Sequence, residues 1–255
     1  MEQIQHAPPR SALPCLSSLR AEVARIERSA PRPGLPALSF GIPLLDGALP
    51  GGGLRVDALH EVMGVGPDLQ HAAAAARFAA GILARRPGPV LWVLERADLF
   101  APGLASAGLH PDRVIFARAG RDGLLAMEEG LRHRGLAGVV LELSGPLSLT
   151  ASRRLHLAAE ATGVMALVLR RPWHAGEAPD GTTAAATRWQ VSALPSGPLL
   201  PHAPGVSGLG RVRWRLDLLR CRGGRPGRWD VEGCDAQGHL GLVPALANGP
   251  AAAAA

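Results

Sequence analysis

Four continuous apolar runs, each bounded by turn-forming residues, set the strongest limit on how this chain can fold. They occupy residues 90–94, 114–117, 139–143 and 164–169. An uninterrupted apolar run of this length is typical of a strand that is buried on both faces of a sheet. Helical patterns separate the runs, so we expect helices at 69–84, 101–107, 123–134 and 150–161, with further strands at 58–63 and 187–194. Strands that alternate with helices predict an α/β fold, with a mostly parallel sheet flanked by helices.

Shifts in composition divide the chain into five parts. We expect a disordered N terminus at 1–15, a helix and linker at 16–34, the α/β core at 35–195, a loop and C-terminal antiparallel β extension of the core at 196–246, and a disordered tail at 247–255. The stretch 173–186 is rich in Gly, Pro, Thr and Ala, which predicts a mobile loop.

The N-terminal helix has one apolar face. Leu16, Leu19, Val23 and Ile26 recur at helical spacing, and charged residues occupy the other face. Two interpretations remain open at this point. The apolar face either packs on its own domain or docks on a neighbouring subunit or partner.

Composition and charge exclude several classes of protein. The 255 residues are 47% hydrophobic, which is enough to bury a substantial core. The three cysteines are an odd number without CxxC spacing, so neither a disulfide framework nor a zinc site built on Cys221 and Cys234 is expected. No 18-residue apolar run occurs, so no membrane span is expected and we predict a cytoplasmic location. The net charge of +6 fits a nucleic-acid or acidic partner.

A strand, a glycine-containing turn and an alanine-rich helix follow one another around Gly64 and Gly66. This is the order of elements in a phosphate-binding loop, whose pattern is G-x-x-x-x-G-K-[ST]. Counted from Gly64, Gln70 takes the lysine position and His71 takes the hydroxyl position, and the chain contains no lysine elsewhere. A neutral amide and an imidazole replace a cation and a Mg²⁺ ligand. We therefore expect no ATP or Mg²⁺ cofactor and no hydrolysis.

This order of elements resembles the RecA core, and more narrowly it resembles the ImuA family. The residues that carry the resemblance are 45–54, followed by His60-Glu61-Val62, and the arginine-rich segment 218–229. The first segment is similar to the one that leads into the first core strand of RecA-like proteins. The second is similar to the arginine-rich ending of ImuA. The resemblance covers residues 16 to 243.

The resemblance implies a non-catalytic accessory protein of SOS-induced, error-prone translesion DNA synthesis. Its implied partners are an ImuB-like pseudo-polymerase and, through that protein, an error-prone replicative-type polymerase, with RecA and single-stranded DNA as further candidates near the nucleoid. Two alternatives stay open. One is a SulA-like inhibitor of cell division, and the other is a divergent nucleotide-dependent DNA-repair ATPase.

Two carboxylates follow or end predicted core strands. Through the resemblance to RecA, Glu95 matches the glutamate that activates water, and Glu142 matches the Walker B aspartate. The alternative is that both are ordinary polar residues at strand ends. No H-E-x-x-H, G-x-S-x-G or Cys–His pattern suggests another catalytic site. The loop 173–186 corresponds to a DNA-contacting loop of RecA, yet its acidic composition disfavours DNA contact.

An arginine stripe marks the C-terminal part of the chain. Residues 211–218 alternate strictly, so Trp214 and its apolar neighbours are expected on one strand face and the arginines on the other. The candidate residues for DNA or partner binding are Arg211, Arg213, Arg215, Arg220, Arg222, Arg225, Arg228 and Trp229. Arginines beside a tryptophan suit single-stranded nucleic acid, and they equally suit an acidic protein surface. A solvated strand face is the remaining alternative.

Overall fold

The structure is a computed structural model. It describes residues 36–66, 68–172, 181–198 and 210–243, together with 200, 203, 206 and 208, but not the side chains of residues 68–71. The proposed N-terminal helix with Leu16, Leu19, Val23 and Ile26 lies outside the described residues. The disordered segments expected at 1–15 and 247–255 also lie outside them.

The described strands follow the apolar runs closely. They are β1 (Ala37–Leu38), β2 (Leu54–Arg55), β3 (Leu59–Gly64), β4 (Val90–Leu94), β5 (Val114–Arg118), β6 (Gly138–Leu143), β7 (Met165–Arg170), β8 (Thr187–Leu194), β9 (Arg213–Cys221), β10 (Gly227–Glu232) and β11 (Gly241–Leu242). The helices are α1 (Pro43–Asp46), α2 (Asp68–Ala84), α3 (Pro102–Ala105), α4 (Gly123–Leu131) and α5 (Leu149–Thr162). The predicted helix at 101–107 is therefore only a four-residue turn of helix.

One large sheet organises the molecule. Within the described residues, nine strands lie in the order β11-β10-β9-β8-β3-β7-β6-β4-β5. The strands from β8 to β5 run parallel, and β9, β10 and β11 add antiparallel strands beyond β8. The predictions of parallel crossovers and of a C-terminal antiparallel extension are confirmed.

Helices cover both faces of this sheet. On one face, α2 packs over a core that contains Phe78, Trp92, Trp189 and Trp214, all of them buried. On the other face, α4 and α5 pack over a second core of aliphatic residues that line alternate positions of the same strands. Apolar side chains on both strand faces explain why the strands read as continuous apolar runs.

The carboxyl ends of the parallel strands meet at one edge of the sheet. Gly64 ends β3 there, Glu95 follows β4, Glu142 lies near the end of β6, and Arg171 follows β7. In open parallel sheets this is the edge where ligands bind. No helix among the described residues is long and apolar enough to cross a membrane.

One expectation about the loops is wrong. The last residues of the predicted mobile loop 173–186 are buried, because Thr183 donates to Glu61 and the Ala184 and Ala186 amides donate to Ser152 Oγ at 2.9 Å and to the Leu59 carbonyl at 2.7 Å. This stretch holds α5 against β3. Residues 173–180 of that loop lie outside the described residues.

Candidate functional site

The predicted phosphate-loop architecture is present in the backbone. β3 ends at Gly64, Gly66 takes the left-handed conformation with φ of 77°, and α2 begins at Asp68. A left-handed turn of this kind favours glycine, because other residues carry a Cβ that crowds the backbone there. Gln70 and His71 lie in the first turn of α2, and their side chains are outside the described structure.

An ion-pair network with two buried members, Glu142 and Arg171, and one exposed member, Asp98, lies at the same edge of the sheet. Arg171 Nη1 is 2.6 Å from Glu142 Oε2, and the Arg171 guanidinium also binds Asp98 through two contacts of 2.9 and 2.7 Å. We call Arg171, Glu142 and Asp98 the Arg171 clasp. Glu142 is only 2% exposed, and Trp92 Nε1 donates to its other oxygen at 3.1 Å. Each oxygen of the Walker B-like carboxylate therefore already has a donor.

The topology brings the clasp together. Glu142 lies on β6 and Arg171 directly follows β7, and these two strands are neighbours in parallel register. Asp98 comes from the segment after β4. The clasp therefore links the carboxyl ends of three neighbouring strands, β7, β6 and β4. The hydrogen bond from Arg171 lowers the pKa of the Asp98 carboxyl below its usual value. A metal ion at Glu142 would compete with a charge-assisted hydrogen bond, which is one of the stronger polar contacts in proteins.

Glu95 is also fully engaged. Its two oxygens accept from the backbone amide and from the hydroxyl of Ser144, each at 2.6 Å. These bonds join the turn after β4 to the turn after β6. Glu95, which the sequence resemblance matches with the water-activating glutamate of RecA, therefore connects these two loops.

A cavity of about 380 Å³ opens beside the clasp, between α2 and the segment 98–104. Its walls are mainly apolar, with Ala72, Ala76, Leu104 and Leu169 among the lining residues. The polar lining consists of Arg77, Asp98, Glu142, Arg170 and Arg171. The volume lies near the lower end of the range for small-molecule sites.

The opposite face of the sheet holds a second charged cluster. Glu61 is fully buried, and it accepts from Thr183 and from Arg188 Nη2, the latter at 3.3 Å. Arg170 is buried beside it, and burial lowers the pKa of its guanidinium. In the described structure, Nε and Nη1 of Arg170 have no hydrogen-bond partner.

Three of the seven arginines of the stripe are paired with carboxylates on the neighbouring strand or just beyond it. Arg215 binds Asp230 through two contacts of 2.8 and 2.9 Å, Arg228 binds Asp217, and Arg211 lies 3.1 Å from Glu232. The predicted alternation is confirmed, because Trp214, Leu216 and Leu218 are buried. The charges of Arg211, Arg215 and Arg228 are therefore balanced within the β9–β10 hairpin.

The remaining candidates of the stripe differ in accessibility. Arg220 donates to the Thr183 carbonyl at 2.7 Å, whereas Arg222 and Arg225 are exposed at the β9–β10 turn, without an ion pair among the described residues. Trp229 is half-buried, and its ring centroid lies 6.2 Å from that of Trp189. This packing leaves little of the indole free to stack on a base.

Arg220 and Arg222 lie at the end of the sheet where the parallel strands begin, whereas the phosphate-loop segment lies where β3 ends. β9 runs antiparallel to β8, so Cys221 pairs with Thr187, and Thr187 in turn pairs with His60 near the start of β3. Six residue steps separate His60 from Gly66, which is roughly 20 Å at about 3.3 Å per residue. Within one molecule these arginines do not reach the loop after β3.

Three residues of the site were missed in the sequence: Trp92, Asp98 and Arg171. A signal for Arg171 existed, because Arg170-Arg171 follows the apolar run of β7 at the carboxyl edge. The carboxyl ends of parallel strands lie at the same end of the sheet. A cation after β7 is therefore expected to contact the carboxylates that follow β4 and that lie near the end of β6. No comparable signal marks Trp92, which sits inside an apolar run.

Comparisons with known proteins give a consistent result. No family model matches the chain. Protein ImuA of Caulobacter vibrioides, from strain NA1000 / CB15N and again from strain ATCC 19089 / CIP 103742 / CB 15, is 44% identical over 234 residues, which is 86% of this chain and 93% of the relative. A crystal structure of a KaiC-like protein from Pyrococcus horikoshii OT3 superposes with a TM-score of 0.53 at 13% identity, over 83% of this chain and 100% of that chain. The chain therefore belongs to the ImuA family and has a RecA-like fold with a C-terminal antiparallel extension.

Proposed function

We propose that this protein is a non-catalytic, RecA-like accessory factor of SOS-induced, error-prone translesion DNA synthesis. It docks an ImuB-like pseudo-polymerase and, through that partner, helps place an error-prone polymerase at damaged DNA. Membership of the ImuA family supports the pathway. The RecA-like fold lacks the lysine that binds phosphate in a phosphate-binding loop, which supports the absence of ATP hydrolysis.

The single observation that carries the proposal is the Arg171 clasp. ATP hydrolysis on this fold needs a carboxylate free to hold Mg²⁺ and another free to orient water. Here Glu142 is bound by Arg171 and Trp92, and Glu95 is bound by Ser144. Both carboxylates stabilise the loops at the sheet edge, which gives them a structural reason to be present.

RecA and single-stranded DNA are further proposed partners. The support is the net charge of +6 and the exposure of Arg222 and Arg225 at the β9–β10 turn. Exposed arginines donate bidentate hydrogen bonds to phosphates or carboxylates without first breaking an internal ion pair.

A genetic complementation experiment tests the non-catalytic role. The variant Glu95→Gln keeps a carbonyl oxygen that accepts from Ser144 but removes the charge needed to activate water. In a strain that lacks the native gene, we expect this variant to restore ultraviolet-induced mutation frequency to the wild-type level. Loss of mutagenesis in the variant, together with ATP turnover by the purified wild-type protein, would contradict the proposal.

Capture of an ImuB-like pseudo-polymerase tests the docking role. The purified chain is expected to retain that partner in the absence of nucleotide, and Arg222→Glu/Arg225→Glu is expected to weaken retention. The matched control is Arg121→Glu/Arg153→Glu, which makes the same change of charge at other exposed arginines. Equal retention by both double variants would remove the β9–β10 turn from the interface, and no retention by the wild type would contradict docking itself.

A further inference from the structure

β5 is an edge strand with an exposed apolar surface. Among the described strands it pairs with β4 alone, so one side of its backbone has no neighbouring strand. Ile115 is 53% exposed and Phe116 is 38% exposed, and these adjacent residues point to opposite faces of the sheet. The strand contains no proline, and its register with β4 has no bulge. Proteins usually protect such an edge, because its free N–H and C=O groups recruit another strand.

A groove borders this edge on the α4 face. Leu91, Ile115 and Leu136 supply its apolar lining. Gly130 brings α4 close to the sheet at this point, since a Cβ on Gly130 would lie 2.5 Å from Leu91 Cδ2. The groove therefore offers a fixed position for an apolar side chain of an added strand.

The charges around the edge select an acidic occupant. The groove is lined by Arg132, His133 and Arg134 and by no carboxylate. Arg132 is bound to Glu128 and Glu129, but His133 and Arg134 are exposed, and Arg118 is exposed at the end of β5. A second copy of this chain carries a net charge of +6 and would meet like charges here.

We propose that β5 is a docking edge for an extended, acidic segment of another protein. The segment adds as a strand beside β5, and its main chain bonds to the free edge of β5. One apolar side chain enters the groove next to Ile115, its neighbour packs on Phe116, and flanking Asp or Glu side chains reach Arg118 and Arg134. Strand addition of this kind takes affinity from backbone hydrogen bonds and specificity from the side-chain sites.

Peptide binding to the full chain tests this proposal. The probe is a fluorescein-labelled peptide Asp-Glu-Val-Phe-Val-Glu-Asp, and its control has Lys at every acidic position. We expect the acidic peptide to raise fluorescence anisotropy with an affinity at least about tenfold higher than the control, and to slow amide hydrogen exchange in residues 114–118. N-methylation of alternate backbone amides in the peptide is expected to abolish binding, because it removes donors to β5.

Matched variants locate the site. Ile115→Asp is expected to weaken binding about tenfold or more, whereas Leu125→Asp is expected to leave it unchanged, because Leu125 is equally exposed at 55% but lies on α4. Arg118→Glu provides a second test without a change in apolar surface, and circular dichroism confirms folding of each variant. Binding that is indifferent to Ile115→Asp and Arg118→Glu, absence of binding by the acidic peptide, or dimerisation that Ile115→Asp abolishes would each overturn the proposal.

Discussion

At the scale of single residues, Arg171 has the largest role at the sheet edge. It neutralises two carboxylates, and one of them, Glu142, lies almost completely out of solvent. A buried carboxylate without a paired cation is costly, because its hydration is lost and not replaced. The clasp therefore offsets the cost of burying the Glu142 charge and competes with any metal ion for that carboxylate.

The variant Arg171→Met tests this role. It leaves Glu142 with the Trp92 donor as its remaining described partner, so we expect the free energy of unfolding in urea to fall by about 3–5 kcal/mol. Arg171→Met/Glu142→Gln is expected to be more stable than Arg171→Met, because the uncompensated charge is gone. Arg153→Met, at an exposed arginine of α5, is the control, with an expected change below about 0.5 kcal/mol. Equal stability of Arg171→Met and the wild type would contradict the account.

The surroundings of His60 fix the protonation state of its imidazole. Its Nε2 lies 2.7 Å from the Arg55 carbonyl, which can only accept, so Nε2 carries the proton. Nδ1 lies 2.8 Å from the Thr187 hydroxyl, and that hydroxyl also accepts from Trp189 Nε1 at 2.8 Å. Thr187 therefore donates to a neutral imidazole. Burial lowers the pKa of His60 to about 4, and it also lowers the pKa of His156.

Stability should therefore fall with acidification. Between about pH 6.5 and pH 4 the unfolded chain binds a proton at His60 that the folded chain excludes, so the stability present above pH 6.5 is lost as pH falls towards 4. The expected loss from His60 is at most about 3 kcal/mol. Urea denaturation at several pH values measures it, and His60→Gln is expected to flatten the slope in this window. An unchanged slope in the variant would show that His60 does not cause the loss.

At the scale of elements, the apolar pattern was sufficient to predict most of the fold. The strands β4 and β8 match their predicted bounds, and β3, β5, β6 and β7 differ by one residue at one or both ends. Continuous apolar runs predict such strands well, because covering both faces of a sheet requires them. The pattern overestimated α3, which ends at Ala105, because Gly103 has a low helix propensity.

The site was harder to predict because it depends on strand order. Glu142 and Arg171 are 29 positions apart, and they meet only because β6 and β7 are neighbours with these residues on the same face. The pairing of the arginine stripe with Asp230 and Glu232 depends in the same way on the β9–β10 register. Sequence spacing places residues along a strand, whereas tertiary pairing decides which charges neutralise one another.

A close contact between α2 and the C-terminal segment gives a prediction at this scale. A Cβ on Gly81 would lie 2.2 Å from Cys234 Sγ, and Cys234 is buried, which raises the pKa of its thiol to about 12. Gly81→Ala is therefore expected to destabilise the protein by about 1–3 kcal/mol, despite the better helix propensity of alanine. Thermal unfolding by circular dichroism measures the change.

The control for that change is Gly135→Ala. A Cβ at Gly135 meets nothing within 4 Å and requires no left-handed backbone, so we expect stability to stay within about 0.5 kcal/mol of the wild type. If both variants unfold at the wild-type temperature, the contact between α2 and Cys234 is looser than the structure indicates.

At the scale of the whole molecule, three surfaces of one sheet are candidates for separate roles. The Arg171 clasp lies where the parallel strands end. The exposed arginines of the β9–β10 turn lie near the opposite end of the sheet, where the parallel strands begin. The strand β5 is the lateral edge of the sheet, on the side opposite the antiparallel extension. In this RecA-like fold, Glu95 and Glu142 are held by internal partners, and the sheet keeps accessible ends. That arrangement suits a protein that brings other proteins together.

Isothermal titration calorimetry with Mg-ATP tests the central claim most directly. The account expects no saturable heat at millimolar nucleotide for the wild-type protein, because the phosphate-loop lysine is absent and Glu142 is bound by Arg171. Magnesium-dependent binding with micromolar affinity, which Glu142→Gln weakens, would contradict it.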